Sequence, residues 1–366
     1  MLLELSVKNF RNFDDWFLFD LSTDKNYEFN SNAISHDIVK HSMVYGLNGS
    51  GKSNIGLALL DLTCHLNDSW IMPSLKQNYL NANSGAKLAE FKYKFVFGKN
   101  IVEYNYGKSD CSTPVYEDLI INGEYCISID RRNSPIANFN MIGAENLKTN
   151  LESSPISAIK YLNSNAILDS NLINGVFDEF IKFVEGMLFF RTLSRQADFS
   201  GQSLDSKKLS HAIINSNKLD DFERFLNSAG IECKLTITGA EGEEKIEFVF
   251  DTKTIEFAVV ASTGTMSLGI FYYWWLKLNT EDLKFAYIDE FDAYYHHDLS
   301  KLIVEKISNV NCQTVLTTHN TSIMSNDLLR PDCYFVLLDK QYKLHELVNK
   351  DLRKAHNLEK IFKGLK

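Results

Sequence analysis

A glycine-rich stretch, Y-G-L-N-G-S-G-K-S-N at residues 45–54, has the residue types and the spacing of a phosphate-binding loop. From Gly46 to Ser53 it fits G-x-x-x-x-G-K-[ST] at every fixed position. Glycines let the backbone approach a phosphate, and the amides of such a loop point at its oxygens. Lys52 would neutralise β- and γ-phosphates, and Ser53 would offer a hydroxyl to Mg²⁺. The candidate nucleotide-binding residues of this stretch are Gly46, Asn48, Gly49, Ser50, Gly51, Lys52, Ser53 and Asn54.

Two carboxylates follow a short apolar run further along the chain. F-A-Y-I at 285–288 predicts a buried strand, and Asp289 and Glu290 come directly after it. At the end of a strand beside the loop, Asp289 would bind Mg²⁺ and Glu290 would orient or deprotonate an attacking water. The alternative is a strand that ends in two solvated carboxylates. The presence of the loop favours the catalytic interpretation.

A histidine, His319, ends another apolar run, T-V-L-T-T at 314–318. A lone histidine is more often structural than catalytic. This one follows the acidic strand by one predicted helix, and a parallel sheet would bring it to the same edge as Asp289. We therefore expect His319 to contact the γ-phosphate and to report whether it is present.

A second anion-binding turn is predicted at S-T-G-T, residues 262–265, where a helix is expected to begin. One triphosphate does not need two such turns within one chain. A dimer does need two such turns if each chain covers the nucleotide that is bound by the other. Ser262, Gly264 and Thr265 would then contact the nucleotide of the second chain. The alternative is an ordinary helix cap.

One further motif is interpreted as a chance match. N-K-L-D at 217–220 fits the N-K-x-D pattern that recognises guanine, but that pattern should end a buried strand. The residues on both sides have helical, amphipathic spacing. ATP is therefore favoured over GTP.

The hydrophobic pattern predicts an α/β fold with a mixed central sheet, an antiparallel β lobe and a helical insertion. Four parts are expected, at 1–87, 88–154 (the β lobe), 155–230 (the insertion) and 231–366. The predicted helices are 52–66, 265–278 and 297–309, besides a mostly helical 155–230 and a short basic helix in the tail. The predicted strands lie at 2–8, 16–21, 41–45, within 88–130 and 231–260, and at 285–288, 314–318, 333–338 and 342–347.

Composition narrows the class of protein. The 366 residues carry a formal charge of −9 and no Lys/Arg block, so a large nucleic-acid surface is not expected, although folding could still form a local basic patch. The six cysteines form no C-x-x-C pair, which favours a reduced, cytoplasmic protein. No apolar run is long enough for a membrane span, and the start has no signal-peptide layout.

Taken in order, the loop, the turn, the acidic pair and the histidine resemble ABC-type ATPase heads. The resemblance is closest to the RecF/SMC/OLD-like branch of AAA-domain ATP-binding proteins, and it covers roughly 1–66 and 255–338. That branch typically begins with a strand and N-F-R and carries G-x-N-G-S-G-K-S-N, S-[ST]-G-T, I-D-E-x-D-x-x-x-H and T-[ST]-H-[ND]. The matching residues are 8–13, 46–54, 262–265, 288–296 and 318–320.

The resemblance implies a P-loop NTPase of ABC-ATPase head type that uses ATP and Mg²⁺. In such a head Asp289 would be the Mg²⁺-linked aspartate, Glu290 the catalytic base and His319 the switch. Asp292 would belong to the turn that couples two sites. Arg11 would approach the nucleotide, unless it lies in a solvated turn.

Two features of the branch are left open. The glutamine of its Q-loop could be Gln77, Gln196 or Gln202, none of which has supporting context. His296 falls where the branch often has histidine, but a metal role for His296 and His297 is disfavoured.

The resemblance implies a homodimer, or a higher homo-oligomer, in which two heads sandwich ATP and release it on hydrolysis. Such a switch would control a separate effector, a nuclease or a toxin, in bacterial anti-phage defence. The alternative is a RecF-like ATPase of DNA repair, with DNA as the partner. The residues after His319 leave no room for the TOPRIM domain of an OLD nuclease, S-T-G-T disfavours a transporter, and no membrane partner is expected.

Overall fold

A computed structural model of the protein describes residues 1–67, 73–152, 156–191, 206–240, 242–280 and 282–365. Its strands are β1 (Leu2–Lys8), β2 (Phe17–Asp20), β3 (Ile34–Ser35), β4 (Ile38–Val39), β5 (His41–Gly46), β6 (Ala89–Phe97), β7 (Asn100–Lys108), β8 (Pro114–Ile121), β9 (Glu124–Asp130), β10 (Asn138–Phe139), β11 (Met187–Arg191), β12 (Leu235–Thr238), β13 (Lys245–Val249), β14 (Thr254–Glu256), β15 (Phe285–Asp289), β16 (Gln313–Thr317), β17 (Tyr334–Leu337) and β18 (Gln341–Lys343). Its helices are α1 (Lys52–Leu66), α2 (Pro73–Lys76), α3 (Ala158–Asn165), α4 (Leu172–Glu185), α5 (Ser206–Asn215), α6 (Leu219–Ser228), α7 (Phe257–Val260), α8 (Thr263–Leu278), α9 (His297–Ile307) and α10 (Leu358–Lys363).

A mixed central sheet carries the phosphate loop. Within the described residues its strand order is β11-β15-β16-β5-β17-β18, and all neighbours are parallel except the last pair. Every residue of β15 and β16 is buried, which explains the continuous apolar run F-A-Y-I in β15. Because β5, β16 and β15 are parallel neighbours, the segments that follow them open at one edge of the sheet.

The second large sheet is antiparallel and forms the β lobe. Its strand order is β10-β9-β8-β7-β6-β1-β2. The N-G pair that predicts a hairpin lies between β8 and β9, with φ of 52° at Asn122 and 83° at Gly123. The N-terminal strands β1 and β2 belong to this sheet and not to the central one. The prediction of an α/β P-loop fold with a mixed central sheet and an antiparallel lobe is confirmed.

Helix α1 lies between the two sheets. On the central-sheet side, a Cβ at Gly56 would lie 2.4 Å from the ring of Phe189 and 2.6 Å from that of Tyr287, so only glycine permits this approach. On the lobe side, Tyr93 Oη donates to the carbonyl oxygen of Ala58 at 2.8 Å. The helix that begins at the phosphate loop is therefore packed on both faces.

The lobe side of α1 also holds buried charges. Asp61 accepts hydrogen bonds from Lys108 Nζ at 2.9 Å, from Tyr79 Oη at 3.0 Å and from Tyr106 Oη at 2.9 Å. One turn further along α1, His65 Nε2 lies 2.7 Å from Glu117 Oε1. Each of these carboxylates is compensated, as buried charges must be.

The prediction that 155–230 is mostly helical was wrong for one segment. Met187–Arg191 forms β11, a strand of the central sheet that pairs with β15. Its sequence, M-L-F-F-R, is apolar throughout, and such a short run has no periodicity that separates strand from helix. Pairing with β15, distant in sequence, decides the outcome. The expected cap in S-S-P-I-S is Ser157, and α3 begins only at Ala158.

Three smaller expectations differ from the structure. The strand predicted through 254–260 stops at Glu256, and Phe257–Val260 turn into a short helix. The strand predicted at 342–347 ends at Lys343, where a 3₁₀ turn, Leu344–Leu347, begins. The helix predicted in the tail is restricted to Leu358–Lys363, capped by Asn357.

Other expectations of the sequence hold. The N-K-L-D stretch covers the turn after α5 and the first two residues of α6, and does not end a strand. None of the six cysteines is in a disulfide. No helix within the described parts of the chain has the length and apolar character needed to cross a membrane.

Candidate nucleotide-binding site

The glycine loop connects β5 to α1 and depends on its glycines. Gly49 and Gly51 have φ angles of 80° and 102°, which residues with a side chain rarely adopt. A Cβ at Gly46 would lie 2.4 Å from Ser50 Oγ, and one at Gly51 would lie 2.8 Å from the ring of Phe13. Asn48 and Gly49 are exposed at the tip of the loop. The loop therefore adopts the tight, left-handed turns from which backbone amides can surround an anion.

Lys52 begins α1 and turns back over the loop. Its Nζ donates to the carbonyl oxygens of Gly46 at 2.8 Å and Leu47 at 3.2 Å. Burial lowers the pKa of Lys52, while the charges of Asp289 and Glu290 oppose that shift. The cation thus lies over the loop within electrostatic reach of both carboxylates. Ser53 is half-buried in the first turn of α1.

The turn after β1 packs against the loop and the start of α1. Arg11 Nε donates to Asn54 Oδ1 at 2.9 Å, and Asn54 Nδ2 donates to Asn12 Oδ1 at 2.5 Å. Phe13 is the residue that a side chain at Gly51 would strike. Arg11 is therefore held beside the loop, which excludes the alternative of a solvated turn.

Asp289 and Glu290 follow β15 and share one hydroxyl. Thr317 Oγ1 donates to Asp289 Oδ1 at 2.8 Å and accepts from the backbone amide of Glu290 at 2.7 Å. Asp289 is fully buried. Its other oxygen, Oδ2, has no hydrogen bond within the described parts of the chain and lies 3.4 Å from Arg191 Nε. One hydroxyl thus fixes the positions of both carboxylate residues.

Glu290 has a strained backbone. Its φ is +50°, a left-handed conformation that costs a residue with a side chain of order 1–3 kcal/mol. Its Oε2 is buried and has no hydrogen-bond partner among the residues that the structure describes. An unpaired carboxylate oxygen on a constrained backbone is available to accept a proton from water.

His319 lies at the same edge, beyond the end of β16. Burial and the charge of Lys52 lower the pKa of His319, against the opposing charges of Glu290, Asp292 and Asp289. The lowered pKa favours the neutral imidazole of His319, which can donate one hydrogen bond. Asp292 accepts from Thr318 Oγ1 at 2.8 Å, and burial raises the pKa of Asp292.

The S-T-G-T turn caps α8. Ser262 is the N-cap, and its Oγ accepts from the amide of Thr265 at 3.2 Å. A Cβ at Gly264 would have only Tyr294 O, at 3.8 Å, and Ser262 Oγ within 4 Å, so the turn is open. Within the described residues its hydrogen bonds stay inside the turn and do not reach the glycine loop.

The structure assigns ordinary structural contacts to the two adjacent histidines. His296 caps α9, its Nδ1 accepting from Leu299 N at 3.4 Å, and His297 Nδ1 lies 2.6 Å from Ser322 Oγ. Of the Q-loop candidates, Gln77 accepts a hydrogen bond through its backbone carbonyl oxygen from Arg11 Nη1 at 3.2 Å. Gln196 and Gln202 lie outside the described residues.

Three residues of the site were missed from the sequence. Thr317 stands in a T-T pair, and nothing in the pattern separates its role from that of Thr318. Tyr287 Oη donates to the carbonyl oxygen of Lys52 at 2.5 Å, which ties the acidic strand to the start of α1. Arg191 lay in a segment interpreted as helical. A polar residue at the end of a buried strand was the only signal for Thr317 and Arg191, and Tyr287, in the middle of β15, had none.

The donor set fits Mg²⁺ bound to a nucleotide. Mg²⁺ prefers one or two carboxylates together with phosphate and water oxygens. Asp289 Oδ2 is a buried carboxylate oxygen without a hydrogen bond, and Ser53 lies in the first turn of α1. Among the described residues no group of three or more His, Cys, Asp or Glu could hold a metal alone. The phosphates would therefore have to supply ligands.

A groove of about 790 Å³ adjoins the loop at Gly49 and Ser50. Its walls come from the turn after β1, from β2 and from the β17–β18 hairpin. Phe13, Trp16 and Tyr342 line it together with acidic side chains. The volume is in the range of small-molecule sites.

One family model and several solved structures match the chain. The family described as "AAA domain, putative AbiEii toxin, Type IV TA system" matches residues 42–325, more than half of the chain. A search of curated proteins gave no significant match.

The similar structures are heads of SMC proteins. The SMC head domain from Thermotoga maritima has 13% identity and a TM-score of 0.45, with 92% of this chain and 94% of that chain covered. An SmcHead bound to the C-winged helix domain of ScpA has 16% identity and a TM-score of 0.49, with 95% and 99% covered. An Smc head with an extended coiled coil, bound to the C-terminal domain of ScpA derived from Pyrococcus furiosus, has 15% identity and a TM-score of 0.48. The match covers 94% of this chain and 97% of that chain.

Proposed function

The chain belongs to this AAA-domain family, and we propose that it is a Mg²⁺-dependent ATPase whose two heads sandwich ATP and act as a nucleotide-driven switch. One observation carries the proposal. The glycine loop, the Asp289–Glu290 pair and His319 follow three neighbouring strands and meet at one edge of the central sheet. A cation for the phosphates, a carboxylate for Mg²⁺ and a carboxylate that accepts a proton from water are groups that hydrolysis of a phosphoanhydride uses, and an imidazole can add a hydrogen bond.

Each group of the site has a distinct role in the proposed reaction. The loop amides and Lys52 bind the phosphates, with Nζ exchanging its two carbonyl partners for phosphate oxygens. Bound through Ser53 and Asp289, Mg²⁺ would neutralise charge on the phosphates. Glu290 Oε2 accepts the proton of the attacking water. Neutral His319 donates to the γ-phosphate and loses that contact after hydrolysis.

Exposed residues at the glycine loop and at the S-T-G-T turn, the two surfaces that would meet in the sandwich, support the dimer. The S-T-G-T turn is open and makes no hydrogen bond to its own loop within the described residues. Leu47 in the loop is 71% exposed, and Val259 and Val260, just before the turn, are 74% and 44% exposed. Apolar side chains beside two anion-binding turns suit a surface that a second chain covers.

A switch of this kind controls another protein. The description of the family names a putative toxin of a type IV toxin–antitoxin system, and we propose a role in bacterial anti-phage defence, with a separate nuclease or toxin as the effector. DNA is the alternative partner, as in RecF-like repair. Measuring the ATPase rate with and without duplex, gapped and single-stranded DNA separates the two.

Two variants test the proposal. Lys52→Ala should abolish binding of ATP, measured by calorimetry. Glu290→Gln should keep binding but slow hydrolysis about 10²–10⁴-fold, the usual worth of a general base. Because this variant still binds ATP but hydrolyses it slowly, Glu290→Gln should also accumulate as a dimer with Mg-ATP, measured by light scattering. Tight ATP binding by Lys52→Ala would refute the loop assignment, and a monomeric Glu290→Gln would refute the sandwich.

A further inference from the structure

Arg191 lies next to the buried aspartate of the site. It is the last residue of β11 and pairs with Asp289 in the parallel ladder between β11 and β15. Its Nε is 3.4 Å from Asp289 Oδ2. The Asp289 side chain is 0% exposed, whereas that of Arg191 is 41% exposed. The guanidinium therefore reaches from solvent to a carboxylate that water does not reach.

This contact compensates a costly charge. Asp289 Oδ1 is satisfied by Thr317, but Oδ2 has no hydrogen bond to any residue that the structure describes, and the cation of Arg191 lies beside it. A buried carboxylate without a compensating charge is strongly unfavourable. The spacing of 3.4 Å is that of an ion pair and not of a good hydrogen bond. The pair is thus attractive but loose enough to separate.

A second arginine opposes this arrangement. Burial and then the charge of Arg191 lower the pKa of Arg11, so the two guanidinium groups lie within electrostatic reach of each other. Arg11 is fixed by its bond to Asn54, next to Ser53. Arg191 is therefore attracted by Asp289 and repelled by Arg11. If a second cation neutralises Asp289, only the repulsion remains.

We propose that Arg191 is a resident counter-ion of Asp289 that Mg²⁺ displaces when Mg-ATP binds, so that Arg191 sets the Mg²⁺ concentration needed for nucleotide binding. This inference rests on the proposed function, since it takes Asp289 as the carboxylate that serves Mg²⁺. In the absence of Mg²⁺, Arg191 keeps Asp289 paired. In its presence the guanidinium turns out to solvent, for which its exposed position leaves room.

The test titrates Mg²⁺ against binding of a fluorescent, non-hydrolysable ATP analogue, from EDTA upward. Arg191→Met removes the competing cation and keeps the aliphatic stem. It should lower the half-saturating Mg²⁺ concentration about three- to tenfold, the worth of a partly exposed ion pair. Arg191→Lys keeps a cation and should stay within about twofold of the parent protein. Arg191→Gln is a second neutral variant and should behave as Arg191→Met does. It replaces Arg191→Met in the titration if that variant does not fold.

Arg132→Met is the matched control. Arg132 pairs with Asp130 on the exposed surface of the β lobe and should leave the Mg²⁺ response unchanged. If the neutral Arg191 variants bind the analogue more weakly, and equally so in EDTA and in Mg²⁺, Arg191 is a phosphate ligand and the inference is wrong. An unchanged Mg²⁺ response in those variants overturns it as well. If the parent protein itself binds no nucleotide, the proposed function fails first.

Discussion

Thr317→Val removes a single oxygen on which two residues of the site depend. The Thr317 hydroxyl donates to Asp289 Oδ1 at 2.8 Å and accepts from the amide of Glu290 at 2.7 Å. Valine has nearly the same shape, and position 317 is fully buried, so water cannot replace the hydroxyl. Both partners would remain buried without a hydrogen bond.

The magnitude follows from these two contacts. A hydrogen bond to a charged carboxylate contributes about 1.5–3 kcal/mol and a neutral one about 0.5–1.5 kcal/mol. Thr317→Val should therefore lower the free energy of unfolding by roughly 2–4 kcal/mol. The left-handed backbone of Glu290 also loses the bond that holds its amide. Misplacing a catalytic group by about 1 Å costs on the order of 10² in rate, so kcat should fall about 100-fold.

The assay compares Thr317→Val with Thr317→Ser, which keeps the hydroxyl. Steady-state ATP hydrolysis gives kcat and KM, and chemical denaturation gives the loss of stability. Thr317→Ser should keep kcat within a few-fold of the parent protein. ATP binding to Thr317→Val should survive, because the glycine loop is untouched. If Thr317→Val hydrolyses ATP at the parent rate and unfolds at the same denaturant concentration, the shared hydroxyl does not position Glu290.

Three further predictions concern the loop, the lobe and the central sheet. Gly51→Ala should weaken ATP binding at least tenfold, because its Cβ would strike Phe13 at a φ of 102°; unchanged affinity by calorimetry would contradict the described loop. Asp61→Asn leaves Lys108 buried without a counter-ion and should destabilise the protein by about 3–5 kcal/mol, whereas adding Lys108→Met should recover most of that loss; equal unfolding of the single and double variants would argue against the pair. Burial lowers the pKa of His41 to about 3 from 6.5, so its neutral form stabilises the fold above pH 6.5 and that contribution is lost as the pH falls toward 3. The stability difference between parent and His41→Gln should therefore shrink over that window, and a pH-independent difference would show that His41 does not titrate there.

The parts of the fold set by local sequence could be predicted. The glycine loop, α1 and the acidic strand follow from short patterns whose physical requirements are strict. The antiparallel strands β6–β9 alternate because one face is buried, and N-G marks the turn between β8 and β9. The helix at Phe257–Val260 was missed because its four apolar residues fit a strand equally well.

The parts set by distant contacts could not be predicted. β11 is a strand because it pairs with β15, about a hundred residues later in the sequence. Missing that strand also hid Arg191, whose contact with Asp289 depends on the same pairing. Thr317 could be placed at the end of a strand but not between two carboxylate residues. The φ of Glu290 has no signal in the sequence, because glycine and asparagine, and not glutamate, favour a left-handed backbone.

Helix α1 is held by side-chain contacts at both of its ends. Its first turn is tied to the acidic strand through Tyr287 and carries Lys52, while Asp61 and His65 bind it to the β lobe. From Lys52 to His65 the helix is about 20 Å long, at 1.5 Å per residue. Sliding between the lobe and α1 would break these buried charge pairs. We therefore expect a displacement of the lobe to be transmitted through α1 to the phosphate loop, so that a partner bound to the lobe would change the affinity of the loop for its ligand.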